Sequence, residues 1–253
     1  MSAILGLIVL LLFIFVWCRP VLKRQKEVGG YIDKKTEGKA LVLGLIPVSV
    51  VLLLCQIALG WIFKWLGMDN HEILMCFLKS FIMYGMIEEF TKYAFAHMVI
   101  KKFEKLKKID IMLIFGFVGM GYEIMESIFV GDLFAMIARG VFVAHIMYQF
   151  VMGHFFYESI HAKNEGNDAG AKKNGIYALA IPILIHGFND LFCELTPIFT
   201  DKLQGLNAEE ITTAQAMPSL ICVVAIILTN LFCLIWGLML AKKDPGVETS
   251  LIG

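Results

Sequence analysis

Charged residues are scarce in this chain of 253 residues: they make up 17% of it, against about 25% in soluble domains. The apolar residue types A, V, I, L, M, F, W, Y and C account for 58% of the sequence, and the mean hydropathy is +0.75. This composition excludes a disordered chain and disfavours a soluble enzyme. It indicates an integral membrane protein.

The sequence also lacks the features of several other protein classes. The 22 Lys and Arg balance the 22 Asp and Glu, so we expect no nucleic-acid partner. The six cysteines lie in or beside apolar stretches and form no CxxC pair, which argues against a disulfide framework or a thiolate zinc site. No HExxH motif is present, so a metal site would need ligands from separate helices.

Seven apolar stretches are long enough to cross a bilayer, whose hydrocarbon core of about 30 Å requires about 20 residues per helix. The runs are continuous and do not alternate, which argues against a β-barrel. We therefore predict an all-α, polytopic bundle that forms one transmembrane domain over residues 1–253. The predicted spans are 3–18, an N-terminal anchor, then 40–63, 73–100, 109–130, 133–160 and 175–199, and a C-terminal helix at 216–241.

Positive charge is distributed asymmetrically between the connecting segments. Seventeen of the 22 positively charged residues lie in alternate connections, whereas the other loops hold only Lys64 and Lys202. Positive residues stay on the cytoplasmic side of a membrane, so we predict an outside N-terminus and a cytoplasmic C-terminus. No basic segment precedes the first span and no small-x-small site follows it, which predicts a retained anchor and not a cleaved signal peptide.

Ionisable residues interrupt four of the predicted spans. Each would cost about 2.5–3.5 kcal/mol at the bilayer centre, so we expect these side chains to pair or to line a wet cavity inside the bundle. Helical spacing places Lys92 within reach of Glu88 and Glu89, and His186 within reach of Asp190. The candidate functional residues are Glu88, Glu89, Lys92, Glu126, His145, His186 and Asp190. The sequence leaves open whether Arg139 pairs with Glu123, pairs with Asp190 or extends outward.

Several kinds of chemistry are compatible with carboxylates and imidazoles gathered in a dry cavity. A glutamate can act as a general base on water. His145, His186 and a carboxylate can bind a divalent metal that acidifies water. The same groups can carry protons or ions in a transporter or channel, or form the structural network of a non-catalytic scaffold. The residues alone leave these alternatives open.

Four segments resemble, in order, the motifs of the PrsW family of intramembrane proteases. Residues 88–92, EEFTK, resemble the EExxK motif, and residues 119–127, GMGYEIMES, resemble a Gly-rich helix with an aromatic residue four positions before a glutamate. His145 with the downstream Gly153 resembles the third motif, and residues 186–190, HGFND, resemble the closing HxxxD. The family is related to the CAAX prenyl protease and bacteriocin-processing group.

The resemblance implies an intramembrane endopeptidase that cleaves a membrane-anchored protein within or beside the bilayer. It implies a multi-pass location in a bacterial plasma membrane, with the lipid bilayer and the substrate as partners. On this interpretation Glu88 or Glu89 activates the attacking water, while the other glutamate and Lys92 set its charge.

The resemblance also implies roles for the remaining motif residues. Glu126 and His145 would orient water or stabilise the oxyanion, His186 would donate to the oxyanion, and Asp190 or Asn189 would orient His186. If a divalent metal such as zinc is used, the expected ligands are Glu126, His145 and His186.

Overall fold

The computed structural model describes residues 2–68, 71–131, 133–201, 203, 212–243 and 246–251. Over these residues the protein is a bundle of α-helices with two π-helical segments and one small antiparallel sheet. The helical elements are α1 (Ser2–Glu27), α2 (Lys34–Leu43), π1 (Gly44–Val48), α3 (Ser49–Trp65), α4 (Glu72–Leu78), π2 (Lys79–Glu88), α5 (Glu89–Ile100), α6 (Lys108–Val130), α7 (Leu133–Phe142), α8 (Ala144–Asn164), α9 (Asp168–Asp201) and α10 (Thr213–Lys242). The strands are β1 (Lys105–Lys107) and β2 (Glu248–Ser250).

Long apolar helices confirm the predicted all-α, multi-span fold. Among the described residues, six helical stretches are long and apolar enough to cross a membrane: Ile4–Glu27, Lys34–Trp65, Lys108–Val130, Met136–Asn164, Asp168–Asp201 and Thr213–Lys242. The stretch from α4 through π2 to α5 is also helical, but Glu88, Glu89 and Lys92 interrupt its apolar run. The count of seven crossings therefore stays a prediction.

The basic connections meet at one end of the bundle. β1 pairs with β2, so the segment before α6 contacts the C-terminal tail. Tyr31 donates a hydrogen bond to Glu248, and Asn164 Nδ2 donates to Thr249 Oγ1 at 2.9 Å. The segments after α1, α5, α8 and α10 thus share one end, as the alternation of charge requires. Which side of the membrane this end faces stays a prediction, and Lys202 lies outside the described residues.

Carboxylates hold the connecting segments and the C-terminal tail in place at this end of the bundle. Buried Asp110 accepts from the backbone N–H of Tyr31 at 3.0 Å, which anchors the turn before α2 on the start of α6. Asp33 caps α2 by accepting from the Thr36 N–H at 2.8 Å, and this bond lowers the pKa of the Asp33 carboxyl. The hydrogen bonds from Tyr31 and Lys105 lower the pKa of Glu248, so its carboxylate is charged at neutral pH.

Glycines allow α6 to pack directly against the helix formed by α2 and π1. A Cβ atom on Gly44 would lie 2.0 Å from the carbonyl oxygen of Val118. A Cβ atom on Gly121 would lie 2.1 Å from the carbonyl oxygen of Leu41. The two backbones therefore touch without intervening side chains. This contact fixes the part of α6 that carries Tyr122.

The predicted span 133–160 is not one regular helix, because the chain breaks at Val143. This residue has φ 44° and ψ 48°, in the left-handed region, which is an uncommon conformation for a β-branched residue. α7 ends before it and α8 begins after it, inside the bundle. The first-turn N–H of His145 is left free of helix hydrogen bonding and donates to Glu123 Oε2 at 3.1 Å.

Candidate active site

A cavity of about 670 Å³ lies within the bundle, and side chains from α3, π2 and α6 to α10 form its walls. Part of the lining is apolar, including Leu52, Leu53, Phe142 and Ile226. The polar lining includes Glu88, Glu126, Arg139, His145, His186 and Asp190. The structure thus brings these six ionisable side chains, from five different elements, to one cavity.

The two glutamates of the EExxK segment have different positions. They follow each other at the junction of π2 and α5, so their side chains leave the helix about 100° apart. Glu88 lines the cavity, and its Oε1 accepts from Tyr122 Oη at 2.8 Å. Glu89 is fully buried, and its Oε2 accepts from Gln149 Nε2 at 2.5 Å. Glu88 therefore faces the cavity, and Glu89 supports the wall behind it.

Lys92 is fully buried and connects three groups. Its Nζ lies 3.3 Å from Glu88 Oε2, 2.9 Å from Glu89 Oε1 and 3.0 Å from His145 Nδ1. The Tyr122 ring packs against the same ammonium, with its centroid 4.4 Å from Nζ. A buried charge needs such partners, and here they belong to four residues of the site.

His145 is held between a cation and an anion. Its Nδ1 faces the Lys92 ammonium, which can only donate. Nδ1 is therefore the accepting nitrogen and Nε2 carries the proton. Nε2 then donates to Glu126 Oε2 at 2.7 Å. Arg139 in turn binds both oxygens of Glu126, at 2.6 and 3.0 Å.

His186 contacts carboxylates from two helices. Its Nδ1 lies 2.9 Å from Glu89 Oε1, and its Nε2 lies 3.2 Å from Asp190 Oδ2 and 4.0 Å from Glu88 Oε2. Asp190 is one turn further along α9 and is 22% exposed in its side chain. The imidazole is therefore fixed by Glu89 on one side, while the other nitrogen points towards Glu88 and Asp190.

Three residues could together hold a metal ion: Glu88, His145 and His186. All three are buried, and one ligand atom from each lies within 4.8 Å of the others. Two imidazoles with one carboxylate form a ligand set found in hydrolytic zinc sites. Glu126 and Glu89 each bind the remote nitrogen of one of these histidines, which is the usual support for a metal-bound histidine. The donor set therefore fits a divalent metal.

This grouping differs from the sequence-based ligand set in one carboxylate. The two histidines are common to both sets. The prediction placed Glu126 beside them, whereas in the structure Glu126 forms a bidentate ion pair with Arg139 and Glu88 belongs to the compact group. The compact group therefore contains Glu88, and Glu126 lies at the other nitrogen of His145.

Some residues of the site were not found from the sequence. Gln56 Nε2 lies 3.5 Å from Glu88 Oε1. Asn230 Nδ2 donates to Asn189 Oδ1 at 2.7 Å, and the Tyr148 ring centroid lies 5.1 Å from that of His186. Gln56 and Asn230 are amides in the middle of long apolar runs, a signal that could have marked them. Tyr148 carried no signal that separates it from a packing aromatic residue.

Comparison with protein families favours a protease over the transporter, channel and scaffold alternatives. A family model described as "PrsW family intramembrane metalloprotease" matches residues 37–229, well over half of the chain. The protein belongs to the PrsW family. This match confirms the resemblance of the four motifs, all of which lie inside the matched residues. No curated protein matches the chain. No solved structure matches it either.

Arg139 of this PrsW protein should affect the site through Glu126. Replacing it in Arg139→Met leaves Glu126 without its bidentate partner, so the orientation of His145 is lost. We expect Zn²⁺ affinity to fall about 10–100-fold, the effect of removing a partner that orients a ligand. Arg139→Lys keeps the charge but not the fork geometry, so it should lie between wild type and Arg139→Met.

Zinc titration of the purified protein measures this effect. The control is Lys105→Met, which removes an exposed ion pair with Glu248 at the far end of the bundle, where such pairs contribute little. Wild-type affinity in Arg139→Met would show that Arg139 has no part in holding His145.

Proposed function

We propose that this protein is an intramembrane endopeptidase that cleaves a membrane-anchored protein substrate, with a divalent metal such as zinc held by Glu88, His145 and His186. The main support is that three separate helical segments each contribute one ligand atom at the cavity wall, and that these atoms lie within 4.8 Å of one another. Membership of the PrsW family favours the protease over the transporter, channel and scaffold interpretations. The proposed location is the plasma membrane of a bacterium.

Glu89 and Glu126 orient the two imidazole rings of the proposed site. Each carboxylate holds the remote ring nitrogen of one histidine. The other nitrogen of His186 lies 4.0 Å from Glu88 Oε2, and that of His145 faces Lys92 beside Glu88. Gln149 and Arg139 in turn hold these carboxylates. A divalent metal, when bound, lowers the pKa of a water molecule and polarises the carbonyl of the scissile peptide bond.

Asp190 is the proposed proton carrier. Four cavity carboxylates lie outside the ligand set: Glu123, Glu126, Asp190 and Glu194. Glu123 accepts from the backbone N–H of His145, and Glu194 lies 3.6 Å from the Lys79 ammonium. Both oxygens of Glu126 are bound by Arg139, whereas Asp190 lies 3.2 Å from His186 Nε2, beside the proposed ligand group. We assign to Asp190 the acceptance of a proton from the attacking water and its return to the leaving amine, as in general acid–base catalysis.

The apolar part of the cavity wall supports the proposed class of substrate. The apolar residues Leu52, Leu53, Phe142 and Ile226 line the same cavity as the ionisable groups. Such a wall favours an apolar chain segment, and a membrane-anchored substrate presents one at this depth. The proposed substrate is therefore a protein with a transmembrane segment, cleaved within or beside it.

Analysis of new protein N termini in membranes tests the proposal. Cells that produce the wild type should contain N termini within or near transmembrane segments of anchored proteins. We expect them to disappear in His186→Ala, and to be lost on chelation and restored by zinc in isolated membranes. The control is His161→Ala, a histidine at the end of α8 that contacts Glu165 at 3.2 Å. Identical N termini in wild type and His186→Ala would refute the proposal.

A further inference from the structure

Lys92 contacts two of the three candidate metal ligands. Its Nζ lies 3.3 Å from Glu88 Oε2 and 3.0 Å from His145 Nδ1. A fully buried ammonium is thus already bound by the atoms that would bind a metal. This inference rests on the metal site of the proposed function.

The Lys92 ammonium and a metal ion cannot bind Nδ1 of His145 at the same time. Nε2 of His145 donates to Glu126, so Nδ1 is the nitrogen with a free lone pair. A neutral imidazole has one such lone pair. Nδ1 can use it to accept a hydrogen bond from Lys92 or to coordinate a metal, but not for both.

We propose that Lys92 is an intramolecular competitor for the metal, so that metal binding at Glu88, His145 and His186 requires the Lys92 ammonium to leave His145. The competition concerns occupancy of a lone pair, and Lys92 keeps its charge in both states. Lys92 is thus a residue that sets metal affinity and keeps the buried carboxylates paired before the metal arrives.

Glu89 provides the position to which the ammonium moves. Lys92 Nζ already lies 2.9 Å from Glu89 Oε1, and Glu89 is not one of the grouped metal ligands. Gln149 holds the other oxygen of Glu89 in place. If Nζ swings about Glu89 Oε1, away from Glu88 and His145, it releases both of them while the ammonium stays paired with Glu89. This accounts for two adjacent glutamates, one for the metal and one for the lysine.

Zinc titration of the metal-stripped, full-length protein in detergent tests the proposal, with a chelator of known affinity as competitor. Lys92→Met and Lys92→Gln remove the competing ammonium. We expect both to bind Zn²⁺ about tenfold to a hundredfold more tightly than wild type, the size of one charge-assisted hydrogen bond. Lys92→Gln retains a hydrogen-bond donor for the buried Glu89. Its zinc affinity therefore tests the proposal if Lys92→Met does not fold.

Arg139→Met separates competition from a change in local charge. It also removes a positive charge from the cavity wall, but Arg139 contacts Glu126 and Glu123 and none of the three grouped ligands. We expect no gain in affinity in this variant. Equal gains in Arg139→Met and the Lys92 variants would overturn the proposal, and so would unchanged or weaker binding in the Lys92 variants. If no form of the protein, wild type included, binds zinc, the metal site of the proposed function fails as well.

Discussion

Glu88→Gln should abolish most proteolysis, whereas Glu89→Gln should leave a clearly measurable rate. Glu88 lines the cavity and belongs to the compact Glu–His–His group. Its loss removes a proposed ligand of the metal, whose chemistry is worth several kcal/mol, so we expect about a 10²–10⁴-fold lower kcat/KM. Glu89 lies behind the wall and acts through His186 and Lys92. Losses of that kind are about 10–100-fold.

The comparison requires a substrate identified by its new N terminus and the purified variants reconstituted in liposomes. Glu72→Gln is the matched control, because this exposed glutamate begins the same helical stretch and should leave kcat/KM unchanged. Equal losses for Glu88 and Glu89 would contradict their division into a cavity residue and a supporting residue. Undiminished cleavage in both variants would remove both from the mechanism.

Gly44→Ala and Gly121→Ala should each destabilise the bundle strongly. The added methyl group would lie 2.0 or 2.1 Å from a carbonyl oxygen of the facing helix. A backbone carbonyl cannot rotate away as a side chain can, so the helices must separate. Overpacking typically costs about 1–3 kcal/mol, and we expect the upper end of that range here. Separation of α6 also moves Tyr122, which donates to Glu88.

Thermal unfolding and the folded fraction in detergent measure this effect. Gly38→Ala and Gly60→Ala are matched controls in the same helical stretch, because a Cβ at either position meets nothing within 4 Å. Alanine favours a helix over glycine by about 1 kcal/mol, so the controls should be as stable as wild type or more stable. Wild-type stability in Gly44→Ala or Gly121→Ala would show that the helices do not touch there.

Local patterns were sufficient to predict most of the framework. Continuous apolar runs identified the helices. The i,i+4 spacing predicted that Lys92 pairs with Glu88 and that His186 pairs with Asp190, and both pairs are present. These relations depend on one helix at a time. Helical geometry fixes them whatever the neighbouring helices do.

Contacts between side chains of different helices were harder to predict from the sequence. The sequence left the partner of Arg139 open, and its expected ligand set contains Glu126 where the compact group in the structure contains Glu88. Both questions depend on how far each helix is rotated about its own axis, which spacing within a single helix does not determine. The break at Val143 was also not predicted, because valine carries no local signal for a left-handed conformation. It is stabilised by tertiary contacts, including the bond from the His145 N–H to Glu123.

The most direct test of the metal site is X-ray absorption spectroscopy of the zinc-loaded protein. The structure predicts one zinc per chain, with two imidazole nitrogens and one carboxylate oxygen at about 2.0–2.2 Å and loss of one nitrogen ligand in His186→Ala. The alternative is zinc bound by sulfur atoms of the six cysteines. A sulfur shell at about 2.3 Å, or a wild-type protein that retains no zinc, would contradict a Glu88–His145–His186 site.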